Sequence, residues 1–263
     1  MKILVCIKQV VDASKMEVDP NTGRLNRSGA NSILNPCDRN ALEEALSLKE
    51  KVGGTVTVIS MGPPQAGAVL LEAVSMGADE AYLATDRAFG GADTLATSYT
   101  LAAVVRKLGN DFDLVFCGQE SIDSNTAQVG PELAAMLGMA DISAAVDFQW
   151  VDGKAIVTRQ VGDGREVLEL RLPAVVTAAA TLNTPRYPSV SGILKKYETE
   201  VHHLTAADLD VEAERIGLKG SPTQVKGVRT VVPPKKENLK IKDKTAAEAA
   251  ALLAEALVKV HIV

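Results

Sequence analysis

The chain has 263 residues, 46% hydrophobic but only 3% aromatic, with a net charge of −5. That length suits one large α/β domain with an appendage, or two small domains, around a sizeable core of Ala, Val, Leu and Ile. Apolar runs are strand-length, about 5 to 8 residues, against the ~20 a membrane span needs, so membrane insertion is not expected.

The opening run, Met1–Lys8, is too short for a signal peptide and reads as a first strand, Ile3–Ile7; a cytoplasmic chain is the expectation. The next stretch, Val11–Pro36, carries Asp-Pro, Asn-Thr-Gly and Ser-Gly signals and reads as a long loop or polar hairpin. Loops of that length inside a domain are usually functional. A helix follows Asn35-Pro36-Cys37-Asp38, with Asp38 as its N-cap, and Gly53-Gly54 ends it. Further strands are predicted at Thr55–Ser60, Glu80–Ala84 and Leu114–Cys117, and helices at Ala41–Lys51, Gln65–Met76 and Thr94–Leu108. This alternation argues for a parallel sheet covered on both faces, and continuously apolar strands fit that burial.

The most informative stretch is Gly118-Gln119-Glu120-Ser121-Ile122-Asp123-Ser124-Asn125-Thr126-Ala127-Gln128-Val129-Gly130-Pro131. It lies between a buried strand and an apolar-periodic helix running to Gly138. Open α/β sheets bind ligands at such strand ends. The N–H groups of a helix start suit a phosphate, so a nucleotide is expected without a GxGxxG or Walker A motif. Asp123 could instead only cap its helix. A second loop, Asp86–Thr97, contains Gly90-Gly91-Ala92-Asp93-Thr94. Its glycines allow close backbone approach; Asp93 and Thr94 open a helix, and Thr94 and Thr97 offer hydroxyls. As a bare pattern it also resembles the Ser-Gly-Gly-x-Asp phosphate loop of ATP pyrophosphatases, or a simple helix cap.

After Gly138 the pattern changes to a β meander: Ile142–Trp150, Lys154–Gln160 and Glu166–Leu172, with turns at Asp152-Gly153 and Gly162-Asp163-Gly164. Pro173–Thr177 is another buried strand, and Ala178–Ser191 reads as an exposed loop. From Gly220 an extended arm runs through Pro233-Pro234 to a last helix at Thr245, where Thr245 and Glu248 have capping-box spacing. Leu252, Leu253, Leu257 and Val260 give that helix an apolar side. The domains are thus read as 1–219 and 220–263. From Lys219 onward there are nine Lys/Arg and four Asp/Glu. With no interleaved aromatics, this basic tail points to an acidic protein partner rather than nucleic acid. Cys6, Cys37 and Cys117 form no CxxC, and their odd number argues against a disulfide framework. His202-His203 lacks further ligands for a metal.

Several of these segments, in order, resemble the β subunit of electron transfer flavoproteins. They are Ile3–Val10, Leu34–Ala45, Met61-Gly-Pro63, Ser75–Asp79, the Gly118 loop, Val157–Thr177 and Leu182–Tyr187. The resemblance implies an adenine nucleotide α hydrolase-like domain with an added meander and a C-terminal arm that wraps an α subunit carrying a flavin. The β subunit holds a second nucleotide, AMP in the housekeeping form. In the flavin-bifurcating form it is FAD, which takes a hydride from NADH and divides the electrons between ferredoxin or flavodoxin and the α-subunit FAD serving an acyl-CoA dehydrogenase. The Asp86–Thr97 segment and the Asp123–Gly130 stretch resemble the bifurcating form. The resemblance implies that Cys6, Asn35, Pro36, Cys37, Asp38 and Met61 surround the adenosine part. Gly118, Gln119, Glu120, Ser121, Ile122, Asp123, Ser124, Asn125, Thr126, Ala127, Gln128 and Val129 would meet pyrophosphate and ribose. Leu182 takes the place of the anchor that docks on the dehydrogenase, flanked by Lys195-Lys196. No residue is expected to act as a nucleophile or general base. NADH oxidation would require the complex.

Overall fold

The structure, a computed structural model, describes residues 1–12, 17–18, 25–26, 32–224, 240–242 and 244–259. The chain begins with β1 (Lys2–Cys6), β2 (Gln9–Val11), β3 (Glu17–Val18), β4 (Leu25–Asn26) and β5 (Ser32–Leu34). β2 pairs antiparallel with β5, and β3 with β4, so the polar-hairpin reading of this crossover fits its described residues. There follow α1 (Pro36–Val52), β6 (Thr55–Met61), α2 (Gly67–Met76), β7 (Glu80–Ala84), α3 (Thr94–Lys107), β8 (Leu114–Gly118) and α4 (Val129–Leu137). The meander is β9 (Ala140–Val151), β10 (Lys154–Val161) and β11 (Gly164–Leu170). Then come β12 (Ala174–Ala178), α5 (Val190–Glu198), β13 (His202–Leu204) and α6 (Ala246–Lys259).

Among the described residues, nine strands form one sheet in the order β11-β10-β9-β12-β8-β1-β6-β7-β13. The run from β9 to β13 is parallel throughout; only the meander pairs are antiparallel. The chain is thus an α/β fold with a large, mostly parallel sheet. Alternate residues of β1 supply two cores. Ile3 and Val5 pack with Leu42 and Leu46 of α1 and Leu70 and Val74 of α2. Leu4 and Cys6 pack with Ala102 and Val105 of α3 and Leu133 of α4. That two-residue period puts α1 and α2 on one face and α3 and α4 on the other. Phe116, fully buried on β8, meets Phe148 of the meander edge to face at 5.5 Å, tying the added strands to the parallel core.

Two local readings change. Helix α1 starts at Pro36 with Asn35 at the cap position and Asp38 inside its first turn; Pro at N1 has no N–H to lose there. Asp38 therefore does not cap the helix and serves elsewhere. The predicted loop Ala178–Ser191 ends at α5, whose cap is Ser189, accepting from the Gly192 N–H at 2.9 Å. His202 lies on β13, an edge strand of only three residues.

Residues Met1–Gln224 and Val225–Val263 are separate compact units. The second contains α6, whose capping box is present: Thr245 N–H and Oγ1 both donate to Glu248 at 2.9 Å. No residue of α6 is buried. Most of the arm, including Pro233-Pro234, and Val260 lie outside the described residues. No helix among the described residues is long and apolar enough to cross a membrane.

Candidate functional site

β1 has β6 on one side and β8 on the other. The crossovers leave these strands in opposite directions, so a crevice opens at their carboxyl ends. A cavity of about 490 Å³ lies there, within the roughly 300–1,000 Å³ of small-molecule sites. Its floor is the strand ends, Cys6-Ile7 and Cys117-Gly118. One wall is the loop from Gln119 to Gly130; the other is Ala92-Asp93-Thr94 with Thr97 and Leu101 of α3. Two helices, α3 and α4, therefore begin at this cavity; the Asp93 carboxylate already caps α3, and the start of α4 is left to favour an anion.

Asp38 holds the crevice together. One carboxylate oxygen accepts the Lys8 N–H at 2.7 Å, and the other accepts the Gly118 N–H at 3.0 Å. Burial pushes this carboxyl up to about 7, against the pull of hydrogen bonds from Asn35, Lys8 and Gly118. Gly118 is required by the same contact: a Cβ there would stand 2.1 Å from Asp38 Oδ1. Asn35, buried beneath the loop, donates to the Glu120 carbonyl at 2.9 Å and accepts the Ile122 N–H at 3.2 Å.

At the mouth, the Lys8 ammonium donates to Asp123 at 2.7 Å and to Ser121 Oγ at 3.2 Å. Ser121 also donates to Asp123 and pairs with Ser124. Burial raises the Asp123 carboxyl, but Lys8 and the serine hydroxyls outweigh it and hold it below the usual range. Asp123 thus organises the loop and does not cap α4, which starts six residues later at Val129. Across the cavity Asp93 caps α3, accepting the Ala96 N–H at 3.1 Å. Thr94 Oγ1 donates to Gln128 at 3.3 Å and Glu132 at 3.1 Å, linking the starts of α3 and α4.

Of the residues singled out in the sequence, Cys6, Asp38, Met61, Asp93, Thr94, Thr97, Gly118, Gln119, Glu120, Ser121, Ser124, Thr126, Ala127, Gln128 and Val129 line this one cavity. Asn35, Pro36, Cys37, Ile122, Asp123 and Asn125 do not line it. Lys8, Ala92, Leu101 and Thr223 line it too, without having been singled out as contacts. Gly90 and Gly91 do not line it. Gly90 accepts the Leu218 N–H at 3.0 Å, and a Cβ on Gly91 would stand 3.3 Å from Leu218 Cβ; these glycines admit another stretch of the chain. The Cys6 thiol, hydrogen-bonded to Cys117 and buried, is pushed well up, so it offers no ready thiolate.

Leu182 is half-buried and packs against the core. The segment holding it is pinned by Arg186, which meets Glu43 at 2.9 Å, and by Asn183, which exchanges hydrogen bonds with Asn40. The exposed apolar side chains lie beyond it: Tyr187, Val190, Leu194 and Tyr197.

The family model for the electron transfer flavoprotein domain matches residues 22–209. The electron transfer flavoprotein subunit beta of Clostridium acetobutylicum is 49% identical over 264 residues, covering 100% of both chains. The caffeyl-CoA reductase–Etf complex subunit CarD of Acetobacterium woodii is 48% identical over 265 residues, again 100% of both. The acryloyl-CoA reductase electron transfer subunit gamma of Anaerotignum propionicum is 39% identical over 243 residues, 90% of each. Likeness at this level over 90% or more of each of these relatives leaves one assignment: the chain belongs to the electron transfer flavoprotein β-subunit family.

Proposed function

We propose that this chain, paired with an electron transfer flavoprotein α subunit, holds an FAD of its own and works in the flavin-bifurcating manner. The observation that carries the reading is the two-walled cavity. It continues past the Gly118 loop to Asp93, Thr94 and Thr97 at the start of α3, offering a second polar wall beyond the loop expected to meet pyrophosphate and ribose. The donor set fits such a dinucleotide: the start of α4 for phosphate, small hydroxyls for ribose and ribityl oxygens, and a floor without a Cβ at Gly118. Bound FAD would supply the hydride-accepting and electron-passing chemistry that no side chain here provides. The chain's own residues position and enclose it: Asp38 and Asn35 brace the floor and loop, while Lys8 and Asp123 close the mouth. In this reading NADH is the hydride donor, and ferredoxin or flavodoxin takes one electron.

The names of the CarD and acryloyl-CoA reductase relatives support service to an acyl-CoA dehydrogenase or reductase. We place docking of that partner on α5 and its approach, where Tyr187, Val190, Leu194 and Tyr197 are exposed, in preference to Leu182. The exposed helix α6 and the basic arm suit the α subunit. Cofactor stoichiometry of the purified heterodimer tests the whole: about two FAD per heterodimer is expected. One FAD with one AMP would instead establish the housekeeping form. Thr94→Val with Thr97→Val should lower occupancy of the β nucleotide and leave the α flavin in place.

A further inference from the structure

Ser221 and Thr223 lie near the end of the first unit of the chain, yet Thr223 lines the cavity and Ser221 meets Asp93 at its wall. Asp93, 130 residues earlier than Thr223, spends one carboxylate oxygen capping α3 and gives the other to Thr223, accepting its N–H at 3.0 Å and its Oγ1–H at 2.9 Å. The Asp93 N–H donates to Ser221 Oγ at 2.8 Å, and that buried hydroxyl donates to the Gly217 carbonyl at 2.8 Å. The turn beneath is fitted closely. Gly217 has φ +54°, and a Cβ there would lie 2.0 Å from the Ala88 carbonyl oxygen. The Leu218 N–H donates to the Gly90 carbonyl, and Thr223 lines the cavity. Burial raises the Asp93 carboxyl, but its donors outweigh that and keep it below the usual range; it serves all of them as a carboxylate.

We propose that residues 216–223 are a retaining strap for the nucleotide, in which Ser221 and Thr223 are positioning residues that hold Asp93 and, through it, the first turn of α3 against the ligand. The inference rests on the cavity being the nucleotide site. An N-cap carboxylate has other rotamers available. Fixing its second oxygen removes them, so Thr94 and Thr97 are held in place before the ligand arrives. Losing the strap frees the cap and leaves α3 to fray at the cavity. The effect falls on release of the ligand more than on its capture. Coupling is reciprocal, so a ligand resting on α3 also steadies the strap.

The test uses the full-length chain in its heterodimer, loaded with FAD and chased with excess AMP, with flavin fluorescence reporting release. Ser221→Ala with Thr223→Val should release the β-site flavin about tenfold faster, the loss of roughly one hydrogen bond to a charged group. Thr223→Ser, which keeps the hydroxyl, should release it at the parental rate, and the α flavin should stay bound in all three. A parental release rate in a double variant that binds FAD would overturn the strap. Should the double variant not fold, hydrogen exchange on the parent decides: the Thr223 amide should exchange more slowly with nucleotide bound, and equal rates would overturn the proposal. A parent that retains neither FAD nor AMP would overturn the nucleotide reading itself, and the strap with it.

Discussion

The Asp38 carboxylate occupies the space that a side chain on Gly118 would need. Its Oδ1 lies 2.1 Å from where that Cβ would stand and accepts the Gly118 N–H at 3.0 Å. The second obstacle is main chain, since the same Cβ would be 2.8 Å from Asp38 N and 2.9 Å from the Cys37 carbonyl carbon. Neither can swing aside as a flexible side chain would. Gly118→Ala should therefore destabilise the chain by about 3 kcal/mol, and it should empty the β nucleotide site, because the floor must move. Urea unfolding and nucleotide content of the purified heterodimer check this. A variant with parental stability would show that α1 can shift to make room.

Asp38 also predicts a pH dependence. Its carboxyl titrates at about 7 in the folded chain, against 3.8 ordinarily, because of burial. The folded state therefore keeps a proton that the unfolded chain releases. The contribution of this group to stability is fully present below the unfolded value, falls as pH rises towards 7, and is constant above. Asn at this position cannot titrate. The stability difference, parent minus Asp38→Asn, should shrink between about pH 4 and about pH 7 and then level off. Unfolding midpoints in a pH series give the curve; a flat line would mean that the folded carboxyl does not hold its proton.

What the sequence made legible follows from how local each cause is. The buried strands around Leu4, Val58 and Val115 stand out because continuous apolar runs between turn signals need little else. The Gly118 loop was visible for the same reason, as a polar break between two apolar patterns. Asp38 was misread because an acid beside Pro36 looks like a cap, and only the fold brings Lys8 and Gly118 to it. α5 was hidden by Pro185 and Pro188 just before it, and by having no fully buried residue of its own although it packs on α2. The role of Thr223 could not be read from its neighbours, since Asp93 meets it only in three dimensions. Gly90-Gly91 was seen as a place of close approach; what approaches is Leu218.

Asn35 braces the loop from below and should reveal how much the loop depends on it. Its amide pairs with the Glu120 carbonyl and the Ile122 N–H, and its side chain does not line the cavity. Asn35→Ala leaves two main-chain groups without these partners in a part-buried place and should cost about 2 kcal/mol. The affinity for the β nucleotide should fall as well, although no contact to it is removed. Calorimetric unfolding and titration with AMP or FAD separate the two effects. Lower stability with unchanged affinity would mean that the loop keeps its shape without Asn35.

The docking surface proposed on α5 can be told apart from its support. Arg186 joins Glu43, which is buried, and Glu50, which is exposed; most of the stabilisation should come from the Glu43 pair, because solvent screens the other. Removing the Arg186 side chain takes the cation from Glu43 and leaves it the main-chain N–H of residue 186, so Arg186→Ala should destabilise the chain by about 1–3 kcal/mol. Val190 and Leu194 are exposed on α5 and support nothing beneath them. Val190→Asp with Leu194→Asp should therefore leave unfolding nearly unchanged, yet slow electron delivery to the acyl-CoA dehydrogenase about tenfold or more, as loss of an apolar contact at an interface does. NADH-dependent reduction of the flavins should be unaffected. Leu182→Ala, which removes a half-buried side chain packed on the core, should show the opposite balance: lower stability, with delivery slowed only as far as folded protein is lost. If Leu182→Ala slows delivery in fully folded protein while the α5 variant does not, the docking contact lies at Leu182 after all.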